Sequence, residues 1–281
     1  MKKPLALLLA CVMCGTIFLA GCSNAGQEKT DAVSKAEPTE TGVTEKDIEE
    51  KIIGSWLVDE RDGQPALTNE KGVFTFDSPD KAYISESFNA HPELDDLWNN
   101  LIETNVDISG NKVTLTRPLD ADTIMTDELS VSSITDTETQ GSLIAKAIKD
   151  GKETIVADET IRLVRVNDDY SKDILGTWEG RCTSEGSTFD DGQDHRWKYK
   201  DDGTYVYYVK DGDNWVPSED TMNAYFVDGN LLCTRWAEGD VENREWWEIS
   251  IDGDTMNWTA LREGEDGKTF TATFEMTRVK E

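Results

Sequence analysis

Alternation of apolar and polar residues is clearest near the end of the chain. Phe270, Ala272, Phe274 and Met276 share one side of a stretch whose other side is threonine and glutamate. This period of two residues is typical of a β-strand with one buried face. Similar stretches rich in aromatic and β-branched residues predict eight strands in the second half of the chain. They lie at about 174–183, 194–200, 203–210, 222–228, 230–236, 243–251, 254–262 and 268–279.

Asp-Gly pairs lie between several of these stretches, at Gly203, Gly229, Gly253 and Gly267. The pair favours tight turns that need positive φ, and between alternating stretches it is a strong signal for a β-hairpin. Strands joined by such short turns are antiparallel neighbours. Eight of them can close into an up-and-down barrel, which removes the exposed edges of the sheet.

The same order of motifs occurs twice along the chain. Residues 52–56, Ile-Ile-Gly-Ser-Trp, return at 174–178 as Ile-Leu-Gly-Thr-Trp, and Arg165 near the end of the first copy corresponds to Arg278. Repeated motifs in one register indicate a duplicated structural unit. The sequence therefore predicts an all-β protein of two tandem eight-stranded antiparallel barrels, residues 47–171 and 172–281.

Alternation also places a Trp-Arg pair inside each predicted barrel. Trp178 and Arg278 fall on the inward faces of the first and last strands of the second copy, and Trp56 and Arg165 are their counterparts in the first. A cation over an indole face is an attractive arrangement. We expect both pairs to be structural and to lie at the floor of each barrel.

The first copy contains one segment with helical spacing. From Pro92 to Glu103, apolar residues recur at intervals of three and four, which predicts a short amphipathic helix inserted into the barrel. Residues 142–149 have the composition of a helix, but the alignment of the two copies favours a strand there. We follow the alignment.

The N-terminus has the pattern of an export signal. Two lysines are followed by an apolar stretch from Pro4 to Ala20, and the tetrapeptide Leu19–Cys22 resembles the lipobox of bacterial lipoproteins. The resemblance implies that residues 1–21 are removed and that Cys22 carries a lipid. Residues 22–46 contain no aromatic side chain and predict a disordered tether. The expected location is the extracytoplasmic face of the cell membrane, with a lipid anchor.

The repeated unit resembles a known family. A Gly-x-Trp motif on the first strand (Gly54 and Gly176), eight meandering strands and an Arg on the last strand resemble the lipocalin family of the calycin superfamily. Each copy is similar to the lipocalin-like domains of bacterial surface lipoproteins, over residues 46–281 in total. The resemblance implies barrels with one closed and one open end, the open end often holding a small apolar ligand. The other signature motifs of transport lipocalins do not follow.

Charge narrows the range of partners. The 281 residues carry a formal net charge of −29, so a surface that binds nucleic acid is not expected. The same charge repels anionic headgroups, and membrane contact is expected through the acyl chains on Cys22 alone. The acidic stretch before His195 does not match a calcium loop, and we predict neither a metal site nor a cofactor. No catalytic constellation is recognisable, so we do not expect an enzyme.

Aromatic residues are concentrated in the second copy, where residues 172–281 contain sixteen of the 24. Two interpretations stay open, because the rings could fill the barrel or line a ligand cavity. If a ligand binds, we expect it in the second barrel. The expected contacts are Trp197, Tyr199, Tyr205, Tyr207, Phe270 and Phe274.

Only two cysteines, Cys182 and Cys233, lie beyond the lipobox. They form either a disulfide or two buried thiols, since spacing alone does not decide between them. For the whole chain we expect a membrane-anchored lipoprotein that binds a small hydrophobic or amphipathic ligand. The alternative is a non-enzymatic surface-interaction or carbohydrate-binding module with filled barrels, whose protein partner is unknown.

Overall fold

The computed structural model describes residues 42–84, 102–118, 122–184, 189–264 and 266–280. Cys22, the signal segment and nearly all of the predicted tether lie outside these ranges, as does the predicted helix at 92–103 apart from its last two residues. Within the described ranges, no helix has the length and apolar character needed to span a membrane. Both sheets belong to one compact unit of the chain, residues 40–281.

One short helix precedes the first sheet. Helix α1, Glu45–Lys51, begins after Thr44, whose hydroxyl accepts from the Asp47 amide while the Asp47 carboxylate accepts from the Thr44 amide. This reciprocal capping box satisfies two donors that a helix start would otherwise leave open. Ile48 is the buried residue of the helix and anchors it to the core of the first barrel.

Nine strands form the first sheet, which we call barrel 1. They are β1 (Gly54–Arg61), β2 (Gln64–Pro65), β3 (Val73–Ser78), β4 (Lys81–Ile84), β5 (Ile102–Ser109), β6 (Lys112–Pro118), β7 (Thr123–Ile134), β8 (Glu138–Lys149) and β9 (Lys152–Val166). All neighbours are antiparallel, and β9 pairs back with β1, which closes a ring of eight strands with β2 added at one edge. The predicted strand at 142–149 is confirmed as part of β8.

Nine further strands form the second sheet, which we call barrel 2. They are β10 (Gly176–Cys182), β11 (His195–Tyr199), β12 (Tyr205–Asp211), β13 (Asn214–Pro217), β14 (Thr221–Asp228), β15 (Leu231–Glu238), β16 (Val241–Asp252), β17 (Thr255–Glu263) and β18 (Thr269–Arg278). The eight predicted strands are confirmed, and β13 is an addition that pairs with β12. The expected fold class of two tandem barrels is therefore correct.

Barrel 2 is curled rather than closed by a continuous ladder. Its sheet order runs from β13 through β12, β11, β10 and β18 to β14 at the other end. In the described part of the chain, the residue before β12 meets β14 at an isolated bridge between Thr204 and Ala224, beside a hydrogen bond of 2.8 Å from the Tyr225 amide to the Gly203 carbonyl.

The floor of each barrel has the same construction. Trp178 pairs with Arg278 across β10 and β18, and the guanidinium carbon lies 4.1 Å from the indole centroid. Gly176 has a φ of +111°, and a Cβ there would lie 3.0 Å from a guanidinium nitrogen. This explains the Gly-x-Trp motif, because the glycine leaves room for the arginine that covers the tryptophan. Trp56 and Arg165 repeat the arrangement at 4.1 Å in barrel 1.

A third cluster of buried side chains joins the two barrels. Leu57 and Val73 of barrel 1 contact Leu231, Cys233 and Trp246 of barrel 2. At its edge the Lys71 ammonium group lies 2.8 Å from the Glu248 carboxylate. Trp246 and Trp247 point in opposite directions, as strand alternation requires, because Trp247 belongs to the interior of barrel 2.

The two cysteines lie in different clusters, Cys182 in the interior of barrel 2 and Cys233 between the barrels. Both are buried thiols. Of the two alternatives left open by the sequence, the structure therefore has the thiols and not the disulfide.

Candidate functional site

The interior of barrel 2 brings the predicted ligand contacts together. Alternation along β11 and β12 points their aromatic rings inward, and register pairs Trp197 with Tyr207 and Tyr199 with Tyr205. One cluster contains all six predicted residues, together with further rings from β14, β16 and β17. Their contact with a ligand stays a prediction.

The rings pack closely around Trp197. Its centroid lies 4.8 Å from that of Trp258, 5.4 Å from that of Tyr207 and 5.9 Å from that of Phe274. Distances of this size are typical of favourable tilted and edge-to-face aromatic pairs. Tyr199, Tyr205 and Phe274 are buried, whereas Trp197, Tyr207 and Phe270 keep part of their surface accessible. The aromatic cluster is thus reachable from solvent on the side of the latter three.

His195 of β11 also belongs to this cluster, although the sequence did not single it out as a candidate site residue. Its ring stacks on Trp197 at 5.6 Å, Nδ1 lies 2.8 Å from the Tyr207 hydroxyl, and Nε2 lies 3.2 Å from the Asp191 carboxylate. Burial raises the pKa of Tyr207 to about 12, so the phenol stays protonated at neutral pH. The alternation of His195, Trp197 and Tyr199 is the signal that would have identified it.

Glu245 is an interior carboxylate that the sequence did not single out. On β16 it shares the inward face with Trp247 and Ile249, and the Trp247 indole N–H donates to its Oε2 at 3.3 Å. Burial raises the pKa of Glu245, and the nearby positive charge of Arg262 only partly counteracts this effect. The protein therefore places an acidic group where a filled barrel would have an apolar one.

Arg262 of β17 is held against the wall of the barrel. Its guanidinium carbon lies 5.0 Å from the Trp247 ring centroid, and it donates to the carbonyl of Trp246 at 2.7 Å. Phe189, from the connection between β10 and β11, covers the same region with its centroid 5.3 Å from that of Trp247. Arginine, aromatic ring and backbone carbonyl thus form one packed layer beside Glu245.

Two buried polar atoms in this cluster have no hydrogen-bond partner among the described residues: the hydroxyl of Tyr199 and the indole nitrogen of Trp258. The two side chains are 2% and 3% exposed. Burial raises the pKa of Tyr199 well above its usual range, and the Tyr205, Tyr225 and Glu245 side chains add to the effect. Such atoms are costly to leave unpaired in a buried site.

Barrel 1 provides the contrast. Its core consists mainly of Val, Leu and Ile, with few rings. Two buried charged groups of barrel 1, Arg117 and Asp127, form an ion pair with each other. In barrel 2, Glu245 receives its described hydrogen bond from Trp247, and Arg262 donates to the Trp246 carbonyl while its charge acts on Glu245.

No family model matches the chain, and no curated protein matches it either. Among solved structures, it is similar to a protein of unknown function from the DUF3598 family of Nostoc punctiforme, with 10% identity and a TM-score of 0.25, over 82% of this chain and 97% of the other. It is also similar to a variant of the vaccine antigen transferrin-binding protein B from Haemophilus parasuis, with 13% identity and a TM-score of 0.24, over 81% of this chain and 45% of that one. Similarity at this level carries no argument about function.

Proposed function

We propose that the protein is a lipid-anchored extracytoplasmic binding protein whose second barrel takes a small amphipathic molecule. The observation that carries the proposal is the combination of aromatic walls with unpaired interior polar atoms, the Tyr199 hydroxyl and the Trp258 indole N–H. A core built for stability alone would be better served by an apolar side chain at position 199. Ligand sites combine mostly apolar walls with a few polar groups in this way.

The anchor is tested separately from the ligand. Replacing Cys22 with alanine removes the thiol that the lipobox resemblance assigns to lipid attachment. We expect the Cys22→Ala protein to leave the membrane fraction, because its strong negative charge disfavours contact with anionic lipid. A variant that stayed in the membrane pellet after a salt wash would contradict the anchor.

Ligand binding is tested on the full chain with N-phenylnaphthylamine, a neutral fluorescent probe, and with empty micelles as the blank. We expect saturable binding that Trp197→Ala weakens, because this ring contacts three other aromatic rings and the His195 imidazole inside the barrel. Trp215→Ala is the matched control, since Trp215 pairs with Lys210 on β12 and stacks under Arg196. Equal loss of binding in both variants would contradict a site in the interior.

The second candidate function is a surface-interaction module with filled barrels. The close ring packing favours it, since Trp258 alone lies within 4.8–5.8 Å of three other rings. In that case the rings act as core and the acidic outer surface meets the partner. Absence of saturable probe binding by the unmodified protein would support this alternative over the ligand-binding barrel.

A further inference from the structure

We infer that the ligand of barrel 2 is an organic cation, an ammonium group on a small apolar body, held between the Glu245 carboxylate and the surrounding phenol and indole rings. The inference rests on the proposed function, because it names the chemistry of a molecule that the barrel binds. Three features of the protein support it: the position of the carboxylate, the aromatic faces beside it, and the overall charge.

The Glu245 carboxylate lies on the face of the sheet that carries the interior cluster. Glu245 pairs with Thr234 across β15 and β16, two pairs along from Leu232 and Trp247 and therefore on the same face, and both of those residues belong to the interior cluster. A carboxylate has about four acceptor positions. Among the described residues, the Glu245 carboxylate accepts a hydrogen bond from the Trp247 indole N–H. Acceptor capacity therefore remains for a group that the protein itself does not supply.

Aromatic rings lie near the same carboxylate, since the charge of Glu245 acts on the Tyr199 and Tyr205 phenols. The Tyr199 centroid lies 5.9 Å from that of Tyr205 and 4.8 Å from that of Tyr225. The Tyr225 hydroxyl donates to the Lys200 carbonyl, whereas the Tyr199 hydroxyl has no partner among the described residues. The negative face of an aromatic ring attracts cations, and it does so most strongly where water is excluded. Rings and an anionic carboxylate together favour an ammonium group over a neutral or anionic one.

Arg262 is a positive charge that would compete with a cationic ligand for Glu245. Its guanidinium is held by contacts of its own. It donates to the Trp246 carbonyl and stacks on Trp247, so its guanidinium is fixed against the wall. An anionic ligand that approached Arg262 would also meet Glu245. The net charge of −29 further favours cations, because a strongly acidic protein raises their local concentration.

The test uses three molecules of nearly equal shape: choline, the neutral 3,3-dimethylbutanol and the anionic 3,3-dimethylbutyrate. Binding to the full chain is measured by calorimetry. We expect choline to bind about tenfold more tightly than the neutral molecule, as one added charged contact allows. The Glu245→Gln variant should lose this preference, because the amide keeps the size and loses the charge.

Glu242→Gln is the matched control, since it removes the same charge from the same strand at an exposed position. It should keep the preference for choline. Arg262→Gln provides a gain of function, because removal of the competing charge should tighten choline binding several-fold, and damage to the fold would not have this effect.

Two results separate this inference from the proposed function. Binding of the neutral fluorescent probe without any preference for choline would contradict a cationic ligand. It would still support binding of a small molecule in barrel 2. Preference for the butyrate would overturn the cation in favour of Arg262. Failure of both the probe and the three isosteres to bind would overturn the proposed function together with the inference.

Discussion

The guanidinium of Arg278 covers the indole of Trp178 at 4.1 Å and so closes the floor of barrel 2. The same arginine donates to the carbonyls of Leu175 and Asp173, which belong to the segment that enters the first strand. Chain entry, first strand and last strand are thus fixed at one point. The floor is common to both copies, and the interior above it is what differs between them.

Loss of this arginine should destabilise the protein. In Arg278→Ala two charge-assisted hydrogen bonds and the cation–π contact disappear, and we expect a loss of about 3 kcal/mol in the free energy of unfolding. Denaturant unfolding measures it. Arg181→Ala is the control, since this exposed arginine pairs with Asp194 at the surface and should change stability by about 0.5 kcal/mol or less. Equal effects of the two substitutions would contradict the structural role of Arg278.

The adjacent tryptophans of β16 should separate stability from binding. Replacing either buried ring with alanine should cost about 3–5 kcal/mol. Trp246→Ala acts at the contact between the barrels and should keep probe binding, whereas Trp247→Ala removes a wall of the interior and should lose it. Calorimetric unfolding and probe titration of both variants measure the two effects. Retained binding by Trp247→Ala would show that the interior is not the site.

Much of the fold follows from the sequence because alternation and turn chemistry act locally. Residues 269–278 alternate without interruption, and Asp-Gly turns with positive φ lie at Gly229, Gly253 and Gly267. Strand β13 was not predicted because its four residues, which end in a proline, are too few to show the alternation of a strand. The open join between β12 and β14 depends on how far the sheet curls, which no single segment encodes.

The site was only half predictable. Composition and alternation identified the aromatic residues, and they lie together as expected. These patterns did not identify Glu245, because it belongs to a polar stretch, residues 242–245, in which both faces of the strand carry hydrophilic residues. Which of those residues faces inward depends on the register with β15, and that register is a tertiary property.

Removing the unpaired hydroxyl of Tyr199 should stabilise the protein in the absence of ligand. Tyr199→Phe eliminates a buried polar atom without a partner among the described residues, and the melting temperature should rise by about 2–4 °C. Tyr225→Phe is the matched control. It removes a hydroxyl that donates to the Lys200 carbonyl at 2.7 Å, so its melting temperature should fall. A lower melting temperature for Tyr199→Phe would contradict the account of that residue.

The interior carboxylate predicts a pH dependence of stability. Because burial raises the pKa of Glu245 in the folded state above its ordinary 4.5, the folded protein binds this proton more tightly than the unfolded chain. The stability that the protonated form contributes is fully present below the unfolded pKa and is lost as the pH rises through the folded pKa. Glu245→Gln does not titrate, so its stability relative to the unmodified protein should increase from about pH 4 upward.

Chemical denaturation across this pH range measures the effect, with Glu242→Gln as the control that should follow the unmodified protein. A constant difference between Glu245→Gln and the unmodified protein at every pH would show that Glu245 is not held in a low-polarity interior.

The central claim is that barrel 2 holds a small molecule among its aromatic rings. Native mass spectrometry of the full chain, isolated from its own cells, tests this claim most directly. We expect an added mass of one small molecule on the unmodified protein and on Trp215→Ala, and its loss from Trp197→Ala. The same bare mass for all three proteins would contradict it.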